Sequence, residues 1–169
     1  MIPGVFQQGL MVYDESKLIY ERSLSLDSPN IIDLVINFCK IEGLAVLAYC
    51  GDEIYSDVIT EQHIVIAKYS EPLPKVYKPG VNRLHNLGIK IHKLILLEDT
   101  LRLEKIRPKL SALLGENATL TSAVPGMLEV LPSQSNKGVG VERLLRYYDI
   151  EPSDHVIAFG DGENDIEFL

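Results

Sequence analysis

Cysteine occurs only twice, at Cys39 and Cys50, and the spacing fits neither a zinc site nor a redox pair. No disulfide framework organises this chain, and both thiols read as core filler in a reducing compartment. Long apolar runs are missing too: none approaches the ~20 residues a membrane-spanning helix requires. There is no excess of basic charge. Sixteen Lys and Arg face 24 Asp and Glu, a net charge of −8, which excludes a basic field for nucleic acid or an anionic membrane. The N-terminal "MIPGVFQQGLMVYDESK" carries neither a basic stretch with a long apolar run nor an Arg/Ser-rich transit composition. No internal repeat or low-complexity tract appears. A folded, cytoplasmic protein is expected, acting on small molecules rather than on nucleic acid or membrane.

What is present alternates strand and helix signals. "GLMVYDESKLIYERSL" predicts a hairpin, Leu10–Tyr13 and Leu18–Glu21, turning at Asp14–Lys17. A helix follows, with Ser28 as N-cap, Pro29 at its first position, Gly43 at its end, and Ile31, Leu34, Val35, Phe38 and Ile41 inward. "LAVLAYC" predicts a strand covered on at least one face, and Ile54–Ile59 a short strand or turn. Next come a proline-rich loop, a short helix at "VNRLHNLG" and a strand at "IKIHKLILLED", where Lys90 and Lys93 read as a solvated face. A helix capped by Thr100 or Asp99 should turn Leu103, Ile106, Leu110 and Leu113 inward, with Pro108 kinking or shortening it. Two strands around a Pro-Gly turn follow, then a helix with Val141, Leu144, Leu145 and Tyr148 on one face, then a strand at His155–Phe159. The order is α+β, closing on an α/β unit. "PSQSN" (Pro132–Asn136) is where one body hands over to another.

The chemistry concentrates at "HVIAFGDGENDIEFL". Asp161 follows the last apolar run, the place where open α/β sheets bind ligands. Gly160 and Gly162 let the backbone turn sharply. Asp161 and Asp165 repel each other unless a cation intervenes, and a hard divalent ion with oxygen ligands fits such a pair. A solvated turn ahead of a helix that welcomes acids is the plainer alternative. Upstream, "SNKGVGVERLL" puts Lys137 at a helix entrance, where it opposes the helix dipole. That placement makes sense if the ammonium reaches an anion or a carboxylate across the sheet. An exposed surface lysine is the alternative.

The run from Asn136 to Leu169 resembles the C-terminal signature of the haloacid dehalogenase (HAD) superfamily, specifically its Cof-type sugar-phosphate phosphatases: Lys-Gly, a helix and strand, then G-D-G-x-N-D. "QQGLMVYDESKLIYERSL" is similar to the hairpin leading into that family's cap domain. "LAVLAYCGDEIYSD" and "PGMLEVLPSQSNKG" stand in the family's order. The resemblance implies an α/β fold: a partial Rossmannoid core, residues 131–169, with an inserted α+β cap and its opening hairpin in residues 1–130. It also implies an Mg²⁺-dependent phosphatase acting on a small phosphorylated metabolite, such as a sugar phosphate or a flavin-pathway or ribityl phosphate. Lys137 would pair with substrate phosphate and the nucleophilic carboxylate, and Asn164 would donate to the phosphate or a nearby carboxylate. Asp161 would ligate Mg²⁺, and Asp165 would assist the metal site or orient Lys137. Asp52, Glu53 and Tyr55 correspond loosely to a cap loop that meets substrate.

Two of the family's parts are missing from these residues. There is no D-x-D-G-T/V nucleophile stretch and no following phosphate-binding Ser/Thr. Asp14 follows four apolar residues, but Ser16 stands where a second acid belongs, and the alignment puts Asp14 in the hairpin turn. Gln8 takes the place of the hairpin's usual asparagine. The chain therefore reads as a fragment, an incompletely read gene or a degenerate member, and should not hydrolyse phosphate esters by itself. The alternatives are a catalytically dead metabolite-binding module and a P-type ATPase phosphorylation domain, which shares G-D-G-x-N-D. The histidines (His63, His85, His92, His155) show no ligand spacing and read as structural or surface residues.

Overall fold

The computed structural model describes residues 2–151 and 155–169. Contacts divide the chain into two compact units, Ser23–Ser133 and Met1–Arg22 with Gln134–Leu169. The handover at Ser133/Gln134 falls inside the "PSQSN" stretch. The opening hairpin groups with the C-terminal segment, not with the residues up to 130 as the sequence reading had it.

The larger unit is built on a six-stranded sheet. Its strands are β4 (Ala45–Cys50), β5 (Glu53–Ser56), β6 (Lys75–Val76), β7 (Lys93–Leu97), β8 (Ala118–Thr121) and β9 (Met127–Pro132), in the order β6-β5-β4-β7-β9-β8. All neighbours are antiparallel except β5 and β6. Two helices supply one apolar layer: α2 (Pro29–Glu42), which follows the one-turn helix α1 (Leu24–Asp27), and α4 (Thr100–Leu114). Their residues Ile32, Val35, Ile36, Ile106 and Leu110 cluster with Val46, Ala48, Leu94, Leu96, Leu128 and Val130. The alternate strand residues Ala45, Leu47, Tyr49, Ile95, Leu97 and Met127 form a second cluster with Ile66. Because β4 and β7 are covered on both faces, they read as continuous apolar runs instead of alternating.

Three expectations for this unit shift. In α2, Ile32, Ile36 and Cys39 are buried while Ile41 is 82% exposed. In α4, Leu114 replaces Leu113 in the buried stripe, and the helix runs unbroken through Pro108. The proline leaves one intrahelical bond unmade, and the buried Leu103, Ile106, Leu110 and Leu114 more than offset that loss. Lys93 is not a solvated lysine. Its Nζ lies 2.7 Å from Glu129 Oε2 and 4.9 Å from the centre of the Tyr49 ring, with both partners of the ion pair buried.

The smaller unit carries an antiparallel sheet of β1 (Gly4–Phe6), β2 (Met11–Asp14) and β3 (Lys17–Glu21), with β2 central. Packed with it are the tight turn Gln7–Gly9, helix α5 (Lys137–Tyr147) and a 3₁₀ segment, Glu163–Phe168. The predicted strand at His155–Phe159 is absent: residues 156–160 lie in no sheet, and Ile157 and Phe159 are 83% and 85% exposed. A strand satisfies its backbone groups only through neighbours, and no other strand among the described residues pairs with this stretch. The short helix α3 (Glu61–Ile64) and the 3₁₀ segment Val81–Leu87 belong to the larger unit. Among the described residues no helix is long and apolar enough to cross a membrane.

Candidate active site

The chemistry-bearing residues of the smaller unit meet at the first turn of α5. Asn136, in extended backbone, caps that helix: its Oδ1 accepts from the Val139 N–H at 2.8 Å. The cap fixes where the helix starts and so where Lys137, its first residue, leaves the backbone. A lysine there is opposed by the helix dipole, and a carboxylate is the natural remedy. Asp165 supplies it. Its Oδ1 lies 2.5 Å from Lys137 Nζ, and its Oδ2 accepts from the backbone N–H groups of Asp161 and Gly162, each at 3.1 Å. The lysine's hydrogen bond, reinforced by the Gly162 N–H, holds the Asp165 carboxyl below its usual range.

The acidic loop is wrapped closely around this carboxylate. A Cβ on Gly160 would sit 2.5 Å from Asp165 Cβ, so only glycine allows the chain to pass there. Asn164 is 8% exposed, and its Nδ2 donates to Gln8 Oε1 at 2.9 Å. Lys137, Asp165 and Asn164 are thus gathered in one place without the strand that was expected to carry the loop. Asp161 joins through its backbone N–H, and its side chain is exposed. The lysine side chain keeps a third of its surface, enough to present its remaining N–H donors to an anion.

Asp161 and Asp165 are hard oxygen donors, the type that suits Mg²⁺, which is commonly held by one or two carboxylates with the rest of its shell left to water and phosphate. No group of three or more His, Cys, Asp or Glu side chains suited to a metal occurs among the described residues. Asp165 is already engaged on both oxygens, so Asp161 is the available donor.

The other candidates fall outside this cluster. Asp14, at the end of β2, accepts from the hydroxyls of Tyr147 and Tyr148 and stands apart from the Lys137–Asp165 pair. In the larger unit, Glu53 accepts from Tyr55 and Lys75 at the sheet edge, and Asp52 is exposed. His63 is structural: its Nδ1 accepts from the Thr60 N–H at 3.1 Å, and its Nε2 lies 3.0 Å from Ser56 Oγ. The part played by Gln8 was not legible in the sequence, since its partner lies at the opposite end of the chain. The glutamine in place of the family's asparagine was the sole hint.

The haloacid dehalogenase-like hydrolase profile matches residues 3–169. The chain is 31% identical over 173 aligned residues to the chloroplastic endoribonuclease YBEY of Arabidopsis thaliana, covering 99% of this chain and 28% of that protein. It is 35% identical over 78 residues to the HMP-PP phosphatase of Yersinia pestis, covering 46% of this chain and 28% of the enzyme. Among solved structures, a HAD/COF-like protein from Plasmodium vivax superimposes with a TM-score of 0.85 at 23% identity, over 99% of this chain and 58% of that one. A HAD subclass IIB sugar phosphatase gives 0.79 at 16%, over 99% and 60%. At such identities the superpositions establish the α/β fold and nothing finer. The chain spans between about a quarter and just over half of the curated relatives it matches along its whole length. With the profile covering the chain almost end to end and the GDGxND loop folded around Lys137, this chain belongs to the haloacid dehalogenase-like hydrolases, in their Cof-type branch.

Proposed function

We propose that this chain supplies the phosphate grip of an Mg²⁺-dependent phosphatase acting on a small phosphorylated metabolite. One observation carries the reading: Lys137, at a helix entrance where its charge is otherwise unfavourable, is held by a carboxylate that is itself fixed by two backbone N–H groups. A lysine oriented in this way binds a phosphoryl oxygen, and charge developing on that oxygen in the transition state strengthens the contact. Asp165 keeps the ammonium aimed, and Asn164 would serve as an amide donor in the same cluster. Asp161 would hold Mg²⁺, which when bound neutralises charge on the phosphoryl oxygens. The HMP-PP phosphatase relative supports a small phosphorylated metabolite as substrate. The family reaction begins with attack by an Asp carboxylate on phosphorus. Asp14 is bonded to two tyrosine hydroxyls, so this reading assigns the chain the phosphate grip and gives Asp14 no part as the nucleophile.

Calorimetric titration of the chain with a hexose phosphate and with the parent hexose, each with and without MgCl₂, tests the reading. Binding should require the phosphate and tighten with Mg²⁺, and Asp161→Asn should abolish the Mg²⁺ enhancement while leaving the fold intact. Equal binding of the parent sugar, or an Mg²⁺ effect that survives Asp161→Asn, contradicts it.

A further inference from the structure

We propose that Gln8 is a positioning residue: its side-chain carbonyl anchors Asn164, and through it the acidic loop, against the first turn of α5 so that Lys137 meets Asp165. The inference rests on the reading of that cluster as a phosphate grip.

Three observations lead to it. Asn164 is 8% exposed, so its amide has lost most of its access to water and needs a protein acceptor. Gln8 Oε1 provides one at 2.9 Å. The backbone that carries Gln8 is unusual as well. Gln7, Gln8 and Gly9 follow one another at φ of 50°, 60° and 86°, three consecutive left-handed residues, two of them with side chains that disfavour that region. Such a turn persists only where its surroundings over-determine it. The surroundings are the helix entrance itself: a Cβ on Gly9 would lie 2.0 Å from the carbonyl oxygen of Asn136, the residue that caps α5 and precedes Lys137. One strained turn therefore abuts the cap that sets the lysine and bonds the loop that supplies its carboxylate. An amide–amide bond thus joins elements from the two ends of the chain at the helix entrance.

Gln8→Met and Gln8→Glu separate this role from simple packing. Both keep an unbranched side chain of similar length in the same left-handed backbone, and only glutamate keeps an oxygen acceptor. Solution NMR of the 169-residue chain reads the Asn164 side-chain amide and the Lys137 ammonium directly. In Gln8→Met the Asn164 amide signals should move to solvent-exposed positions. Hydrogen exchange of the Lys137 ammonium should accelerate severalfold as its ion pair with Asp165 loosens. Gln8→Glu should restore both signals. If Gln8→Met does not fold, Asn164→Ala breaks the same bond from the other side and should loosen Lys137 equally. Unchanged Lys137 exchange in the folded variant, or a Gln8→Glu protein as perturbed as Gln8→Met, overturns the proposal. None of these signals depends on phosphate binding, so failure of the phosphate reading would be seen separately, in the calorimetric titration.

Discussion

At the scale of single residues, polar side chains have fixed protonation states because of who faces them. Asp165 stays ionised because a lysine and two N–H groups donate to it. His63 is the opposite case. The Thr60 N–H donates to its Nδ1, and Ser56 Oγ donates to the Val46 carbonyl, which leaves Nε2–H to donate to Ser56. Only the neutral ring fits that arrangement, and burial pushes the imidazole pKa below its ordinary value of 6.5. The unfolded chain then binds more protons than the folded one as pH falls below that value. His63 thus contributes stability that is present above the unfolded pKa and lost as pH drops toward the folded one. Melting curves between pH 7.5 and 5, taken at about half-unit steps, should show this decline, and His63→Asn should flatten that limb. An identical pH slope in the variant would exclude His63 as its source. The sequence showed four scattered histidines, and nothing in it distinguished this buried one, since its partners come from a neighbouring strand and from its own helix cap.

At the scale of elements, the sequence was most informative where one pattern governs. Alternate residues of β4 and β7 enter opposite clusters, which explains their unbroken apolar runs. Helix α4 lies on the sheet through Leu103, Ile106, Leu110 and Leu114, a stripe visible in the spacing except for its last member. Leu110 is fully buried, and Leu110→Ala should cost ~2–5 kcal/mol in denaturant unfolding, the range for a leucine truncated in a close-packed core. A cost under ~0.5 kcal/mol, typical of surface changes, would mean that α4 is not docked as described. Lys93 shows where pattern reading stops. A lysine in an apolar strand looks solvated, yet this one is buried against Glu129, 36 residues away in sequence but on the adjacent strand in the sheet. The apolar residues 156–159 mark the other boundary: composition asked for a strand, but a strand exists only with neighbours.

At the scale of the whole molecule, the motif residues Lys137, Asn164 and Asp165 could be picked out from the sequence and are gathered in the structure, whereas the turn that registers them could not. The reason is physical. A lysine that opposes a helix dipole and a string of acids after glycine carry local signals, but a bond between Gln8 and Asn164 has none. The two units also divide the labour unevenly, since every residue of the proposed grip lies in the smaller one. The central claim is that Lys137, held by Asp165, makes this unit bind phosphate. It is tested most directly by ³¹P NMR titration of inorganic phosphate in the presence of MgCl₂, comparing the chain with Lys137→Ala. The account predicts saturable line broadening with the unaltered chain and a loss of affinity of about tenfold or more in the variant, the cost of removing a charge-assisted contact, with the melting temperature preserved. Equal phosphate binding by a folded Lys137→Ala would contradict it.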